Sequence, residues 1–456
     1  MHDRRKNRND RETTSPGSAV KGAGFLFNRI KLERESRKIR YDSLSENEKV
    51  VCASRNYFII DNVSIYIIAT ICAGSYLAGL LKYVGIPPEI NGIILAIPVL
   101  AGIFQILGAI VSQRLRTQRR FVLYGTAIYR ICLSIVFLYP LLLGPTLFCA
   151  LMIVVTYAIG YFVGTAISPA SSNWLIKLVP TRIRGDYFSK RERLSLIGIA
   201  VATIVVSVIL DKSKELDLPA LGFAVTGILL LAVAITDISY MAKAYEPETV
   251  FVKRKFEFRS LLEPILDKKF VKVIVIYILW QISAQISIPY LGIYYIDTIK
   301  MNYTFIGTVS LIVTIEKVLI VKYWGKLADR TSWDYVLKLA LLFYSTYLTM
   351  QIFLSSTNYA WMYPTMLIIG NVAWSVLGIA LFNIQFQFIN QERIPVYIGV
   401  CGAISGLTGF CTALIGSVIL KTVNAMSLPF NGYQVLICIA ALAGFALSFY
   451  IHKKVK

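Results

Sequence analysis

Glu316 and Lys317 sit side by side in "IGTVSLIVTIEKVLIVKYW", a predominantly apolar run. Arg130 lies near the middle of "FVLYGTAIYRICLSIVFLY", and Asp61 lies one turn into "YFIIDNVSIYIIATICAG". Runs of that length cross roughly 30 Å of hydrocarbon as helices. An ionisable side chain there is costly, and it persists where it binds a proton, holds a charged solute or pairs with an opposite charge. Glu316 or Asp61 is therefore a candidate protonation site, or a site for a cationic group. Glu316, Lys317 and Arg130 are also able to form structural ion pairs between helices. For Asp61, close to the end of its run, snorkelling to the interface is the favoured expectation. Glu316 and Lys317 point about 100° apart on a helix and so address different partners. Glu316 lies about 13 Å before Gly325 along a helix, near the expected midplane.

The rest of the chain must position these residues in lipid. Hydrophobic residues make up 56% of the 456 and charged residues 16%, where soluble domains are about a quarter charged. In lipid only helices and closed barrels satisfy the backbone. Strict alternation is absent, so helices are expected. The net charge of +21 is not the mark of a nucleic-acid partner, because the cations collect in the tail and in every second loop. Seven cysteines (Cys52, Cys72, Cys132, Cys149, Cys401, Cys411, Cys438) are scattered without metal-ligand spacing and read as packing residues. His2 and His452 lie near the two termini, away from the apolar runs' centres. No metal or cofactor is expected, and no phosphate-binding loop, nucleophile–base pair or paired histidines suggest an enzyme.

Spans are expected at 57–82, 90–112, 119–143, 146–170, 194–211, 218–240, 270–296, 303–324, 335–355, 360–386, 396–420 and 432–452. They divide the chain into a basic tail (1–56), a six-helix bundle (57–240), a basic linker (241–269) and a second six-helix bundle (270–456). The first forty residues read as disordered. Ser43 and Glu46 offer a capping box for a short amphipathic helix on the membrane surface. The tail, "SQRLRTQRR", "VPTRIRGDYFSKRER", the linker, "GKLADR", "QER" and "HKKVK" fall on one side, which the positive-inside rule makes cytoplasmic. Both termini are then cytoplasmic, in a multi-pass plasma-membrane protein. The sequon at Asn302–Thr304 is short enough to arise by chance and carries no weight.

The halves echo each other. "GKLADR" begins at Gly325 after the second span of the second half, and "GAIVSQRLRTQRR" begins at Gly108 in the equivalent place of the first, 217 residues earlier. "RGDYF" follows the fourth span and "RIPVYI" the tenth. Duplicated halves are a recurring transporter design. Gly-x-Leu-Ala-Asp-Arg in this place resembles the signature loop of the major facilitator superfamily. "PTRIRGDYFSKRER" is similar to the loop of a mainly bacterial branch with Arg-Gly-x-Tyr-Phe after the fourth span. The resemblance covers residues 50–456 in span layout. It implies an all-α fold of twelve transmembrane helices in two bundles, and secondary active transport of a small organic solute by alternating access, with proton coupling as one option. It also implies a monomer in the lipid bilayer. A non-transporting sensor of the same fold and a lipid or glycan flippase of another fold are the alternatives.

The resemblance further implies a gate. Asp329 would cap the N-terminus of a helix in the other half and engage an Arg, closing the basic side. A carboxylate at a helix N-terminus gains about 0.3–1 kcal/mol. The expected target is the fifth span, starting just after "RGDYFSKRER", with Arg184, Arg191 and Arg193 as cations. Arg330 adjoins Asp329, and Gly325 would let helices approach closely. The first-half copy keeps Gly108 but has Ser112 in place of the Asp, which can cap but brings no charge. The two gate halves are thus expected to be unequal.

In this family the first, fourth, seventh and tenth spans surround the cavity, and third spans are peripheral, which favours an ion-pair role for Arg130. The four spans carry polar or aromatic stripes at helical spacing. They offer Asn62, Tyr66 and Tyr76; Tyr157, Tyr161, Thr165, Ser168 and Ser172; Trp280, Gln281, Gln285, Tyr290 and Tyr294; and Asn371, Trp374 and Gln385. Such a wall suits a solute with polar edges and flat apolar faces. Interhelical hydrogen bonding would claim part of it. Motifs of drug antiporters, sugar porters and peptide symporters are absent, so the solute stays open.

Overall fold

The computed structural model describes residues 45–115, 117–247, 262–386, 394–426 and 429–454. Ser43, most of the tail, much of the basic linker and the "QER" loop fall outside them. Among the described residues every regular element is a helix. In chain order they are α1 (Glu46–Ile71), α2 (Gly74–Tyr83), α3 (Pro88–Leu95), α4 (Ile97–Leu100), α5 (Ile103–Arg114), α6 (Arg119–Ile135), α7 (Tyr139–Leu143), α8 (Leu147–Leu178), α9 (Arg184–Glu215) and α10 (Pro219–Met241). There follow α11 (Glu263–Leu266), α12 (Val271–Gln285), α13 (Ile288–Ile293), a π-helical turn (Tyr294–Thr298), α14 (Tyr303–Arg330), α15 (Trp333–Ile352), α16 (Tyr359–Phe386), α17 (Ile394–Ala425) and α18 (Gly432–Lys454).

These helices overlie all of the expected spans. Eight are long and apolar enough to cross a membrane, or nine if the bent pair α1–α2 is one span. The helical segments at 119–143, 303–330 and 333–352 are not among those; they hold Arg119, Arg120 and Arg130, then Glu316 and Lys317, then Asp334 and Lys338. Four spans are built from pieces, the third being split between α6 and α7 at residues 136–138. The first bends by 48° between α1 and α2, where Gly74 takes φ +51°, a left-handed conformation open to glycine without strain. The second is interrupted around Pro98 and the seventh around Pro289, each in the first turn of a new piece, where the missing N–H is tolerated.

Helix ends differ from the expected span ends. α8 runs on to Leu178, α9 starts at Arg184, and α14 runs through "GKLADR" to Arg330. Hydropathy reports where hydrocarbon stops, but the backbone ladder continues into polar sequence. By backbone contacts the chain divides into Met1–Ala53 and Ser54–Lys456. In the first unit the start of α1 is capped two residues later than expected. Ser45 Oγ accepts from the Glu48 N–H at 3.4 Å, and the Ser45 N–H donates to the Glu48 carboxylate at 3.0 Å. The Ser45 hydroxyl and N–H together hold that carboxyl below its usual range.

Within Ser54–Lys456 the buried apolar side chains form two clusters. One draws on residues from Ile68 to Ala234, and the other on residues from Phe270 to Ile451 together with Ala78. The first half therefore has its own core on α1–α10, and the second on α12–α18.

Candidate functional site

The two halves meet differently at the two ends of the helices. One end carries Arg114, the start of α9 and "GKLADR", and is called the basic end. The opposite, far end is sealed. There Gly292 of α13 lies against the backbone of Gly74, so close that a Cβ on Gly292 would sit 2.5 Å from the Gly74 carbonyl carbon. Tyr76 stacks on Tyr303 with ring centroids 6.0 Å apart. The Asp211 carboxylate, near the end of α9, accepts from the N–H groups of Tyr303 (3.0 Å) and Thr304 (2.6 Å) at the start of α14. Those N–H groups have no partner within their own helix, and an anion there is favoured by the helix dipole. Lys82 and Asp297 add an ion pair between the halves.

Toward the basic end the halves enclose a cavity of about 740 Å³, within the usual size range of small-molecule sites. Asn62, Tyr66, Phe188 and Leu196 line it from the first half, together with the run Arg191–Glu192–Arg193. Lys317 on α14 and Trp374, Ser375, Gly378 and Ile379 on α16 line it from the second. Asn62 donates to the Ser195 hydroxyl at 2.6 Å, and the Tyr66 hydroxyl donates to Glu192 at 3.3 Å. Trp374 is 41% exposed and packs edge-on against Trp280 and Tyr344. Among the described residues none of Arg191, Arg193 and Lys317 is in an ion pair, and the buried Arg191 Nε has no hydrogen-bond partner.

The neighbours Glu316 and Lys317 separate as helix geometry demands. Lys317 faces the cavity, whereas Glu316 turns toward α16, where Asn371 reaches it at 3.4 Å and also donates to the Val313 carbonyl at 2.8 Å.

The "RGDYF" stretch is itself helical, so the expected N-terminus of the fifth span moves ten residues earlier, to Arg184. Arg184 Nε donates to the Val179 carbonyl at 3.1 Å and its Nη2 to Ile176 at 3.4 Å. A cation there satisfies the orphaned carbonyls at the end of α8. Arg55 does the same for Leu178 at 2.6 Å, and the Tyr187 hydroxyl donates to the Arg55 carbonyl at 2.8 Å. Arg193 donates to the Ser189 carbonyl at 3.4 Å. Asp329 and Arg330 are exposed, and among the described residues no ion pair joins Asp329 to Arg184, Arg191 or Arg193. Among the described residues Gly325 has nothing within 4 Å of where its Cβ would be, so they show no close helix approach there. Gly108 does: its Cβ would meet the Ala166 carbonyl oxygen at 1.7 Å. Ser112 is buried and donates to Ala109 of its own helix at 2.8 Å.

Arg130 sits in the interior of the first half, 1% exposed. Its Nε donates to Asp237 at 2.8 Å and its Nη2 to Asp61 at 2.9 Å. Asp61 is thus buried in an ion pair and does not snorkel. Asp237, fully buried on α10, escaped the sequence reading, although an acidic residue inside "LLLAVAITDISYM" meets the same criterion that singled out Asp61. Two carboxylates share one guanidinium, so with both ionised the cluster would carry a net charge of −1. Among the described residues Arg130 Nη1 and Asp237 Oδ1 have no hydrogen-bond partner.

The remaining expected cavity residues lie elsewhere. Tyr157 is buried and donates to the Cys72 carbonyl at 3.0 Å, a group at the α1–α2 break. Tyr161 packs edge-on against Tyr157, and Thr165 donates to the Ala101 carbonyl at 2.8 Å. Trp280 stands behind Trp374. Gln281 and Gln285 face Gly409 of α17. Gln385 donates to the Tyr277 hydroxyl.

Comparison with known proteins follows this geometry. The family model described as Major Facilitator Superfamily matches residues 62–413, more than half of the chain. No curated protein matches the sequence. Among solved structures, the nucleoside transporter NupG superposes with a TM-score of 0.67 at 12% identity, covering 89% of this chain and 100% of that one. The D-xylose–proton symporter gives 0.65 at 13%, covering 90% and 98%. A bacterial homologue of the iron transporter ferroportin, in its inward-facing state, gives 0.65 at 14%, covering 90% and 99%. At such identities the likeness is one of fold.

Proposed function

The chain belongs to the major facilitator superfamily, a family of membrane transporters rather than enzymes, and on that premise we propose that it moves a small organic solute across the plasma membrane by alternating access. The observation that carries this reading is the pairing of a sealed far end with a cavity of about 740 Å³ reached from both halves toward the basic end. With the basic loops cytoplasmic, as positive charge dictates, the conformation is inward-open, and both termini are cytoplasmic. Two six-helix halves, 57–240 and 270–456, rock about the cavity. It is completed within one chain, so a monomer suffices.

Closing the cytoplasmic side brings Asp329 to the first turns of α9, where Arg191 and Arg193 wait. Arg184 already holds the end of α8, so its part in the gate is to fix the helix that Asp329 meets. The driving ion is a proton, taken up at the Asp61–Arg130–Asp237 cluster. A net charge of −1 in a buried site is expensive, and one proton makes the cluster neutral. Its three members lie on α1, α6 and α10, so its charge state bears on how those helices pack.

Uptake of a labelled compound library into proteoliposomes, with and without a pH gradient, tests the proposal. We expect saturable flux of at least one compound and accumulation only with the gradient. Asp237→Asn should retain counterflow exchange and lose gradient-driven accumulation. Absence of solute-dependent flux under every gradient would overturn the carrier reading in favour of a sensor.

A further inference from the structure

Among the described residues the charges around the cavity do not balance. Arg191, Arg193 and Lys317 face it with one carboxylate, Glu192, which already accepts a hydrogen bond from Tyr66. The excess of three cations over one anion is not a topology signal alone. Arg191 and Arg193 lie in the first three turns of α9, where interfacial cations are expected. Lys317 instead lies 13 residues before Arg330, the end of α14, about 20 Å along the helix, beyond reach of that explanation.

The cations also come from opposite halves, with Arg191 on α9 and Lys317 on α14. Closing the basic end drives these like charges toward each other, at a cost that rises as water leaves. Beside them stand two large rings: Trp374, 41% exposed and held in place by Trp280 and Tyr344, and Phe188, 37% exposed. The Arg191 guanidinium lies 6.0 Å from the centre of the Phe188 ring, and the exposed Trp374 ring suits a flat apolar body.

We propose, resting on the carrier reading above, that the solute is a small organic anion with a flat apolar body, its charge clasped between Arg191 of one half and Lys317 of the other. The anion turns the repulsion between the halves into attraction, so the loaded carrier closes at the basic end more readily than the empty one. Arg191 is suited to the task because its buried Nε has no hydrogen-bond partner among the described residues, and a guanidinium offers a carboxylate or phosphate paired donors.

The experiment uses full-length protein in nanodiscs and three isosteric probes: naphthalene-1-carboxylate, naphthalene-1-carboxamide and 1-naphthylmethylammonium. Calorimetric titration should give the carboxylate an affinity on the order of tenfold above the other two. Lys317→Gln and Arg191→Gln should each remove that preference, while Lys317→Arg keeps it; melting curves confirm that the variants are folded. Equal binding of the amide, a preference that survives both Gln substitutions, or no binding of the carboxylate would each overturn the proposal. Proteoliposome flux separates it from its premise. Carboxylate preference without flux leaves the anion site standing and removes the carrier. Flux of neutral solutes without the preference does the reverse.

Discussion

Gly108 and Gly325 hold equivalent places in the two halves, yet a Cβ on Gly108 would lie 1.7 Å from the Ala166 carbonyl oxygen, and one on Gly325 would meet nothing within 4 Å. The loops that follow differ in the same sense. After α5 the chain is pinned. Glu246, beyond α10, accepts from the N–H groups of Gln118 (2.7 Å) and Arg119 (3.2 Å), capping α6 from outside. Arg119 reaches back to the Ala242 carbonyl, and Asn173 donates to Gln118 at 3.2 Å. After α14 the loop carries two local hydrogen bonds: Thr331 donates to Leu327 at 2.7 Å, and Ser332 caps α15 through Tyr335 at 3.2 Å. Asp329 is left exposed. On the proposed gate, the two loops would divide their work: the first fastens its own half together, and the second would meet the other half when the basic end closes.

The largest test of that division lies in the glycines. Gly108→Leu should cost about 3 kcal/mol or more, because the neighbour it strikes is backbone that cannot turn aside. The loss would show as a lowered melting temperature of the purified protein. Gly325→Leu should leave melting unchanged, and equal losses at both positions would erase the contrast. Next in size, Glu246→Gln should remove about 1 kcal/mol of stability by taking a carboxylate from a helix N-terminus. Thiol-reagent access at the basic end should stay as it was; a change there would mean that the first loop also gates. The smallest effect belongs to Asp329→Asn, with no change in melting. A cysteine placed at Ser189, in a background without others, should become about two- to fivefold more reactive, the population shift that about 0.3–1 kcal/mol of lost gate energy produces. Unchanged reactivity would count against a gating role for Asp329.

How much of this was legible in the sequence depended on the range of the interaction. Apolar runs located a helix at each expected span because burial in lipid is written locally, residue by residue. The divergence of Glu316 from Lys317 was equally local, a matter of 100° per residue. Helix ends were not, since α9 gains its first ten residues from a backbone ladder that polar side chains do not interrupt. The partners of Arg130 stand 69 and 107 residues away in sequence, and no spacing rule joins three helices. The tyrosine stripe of the fourth span showed the same limit. Its hydroxyl-bearing face looked like a cavity wall, but Tyr157 answers a carbonyl freed where α1 breaks before Gly74. That break is carried by a single glycine 83 residues upstream.

The seal between Gly74 and Gly292 has a consequence for how such a carrier can change over generations. Main chain rests on main chain there, so no side chain can be varied in small steps. Any substitution at Gly292 wedges the contact apart at once, and at Gly74 it must also accept a positive φ. If the chain alternates between two access states as proposed, gradual adjustment of their balance is left to residues ringing that contact, such as Asp211, Lys82 and Asp297, where one charge or one methylene at a time can be gained or lost.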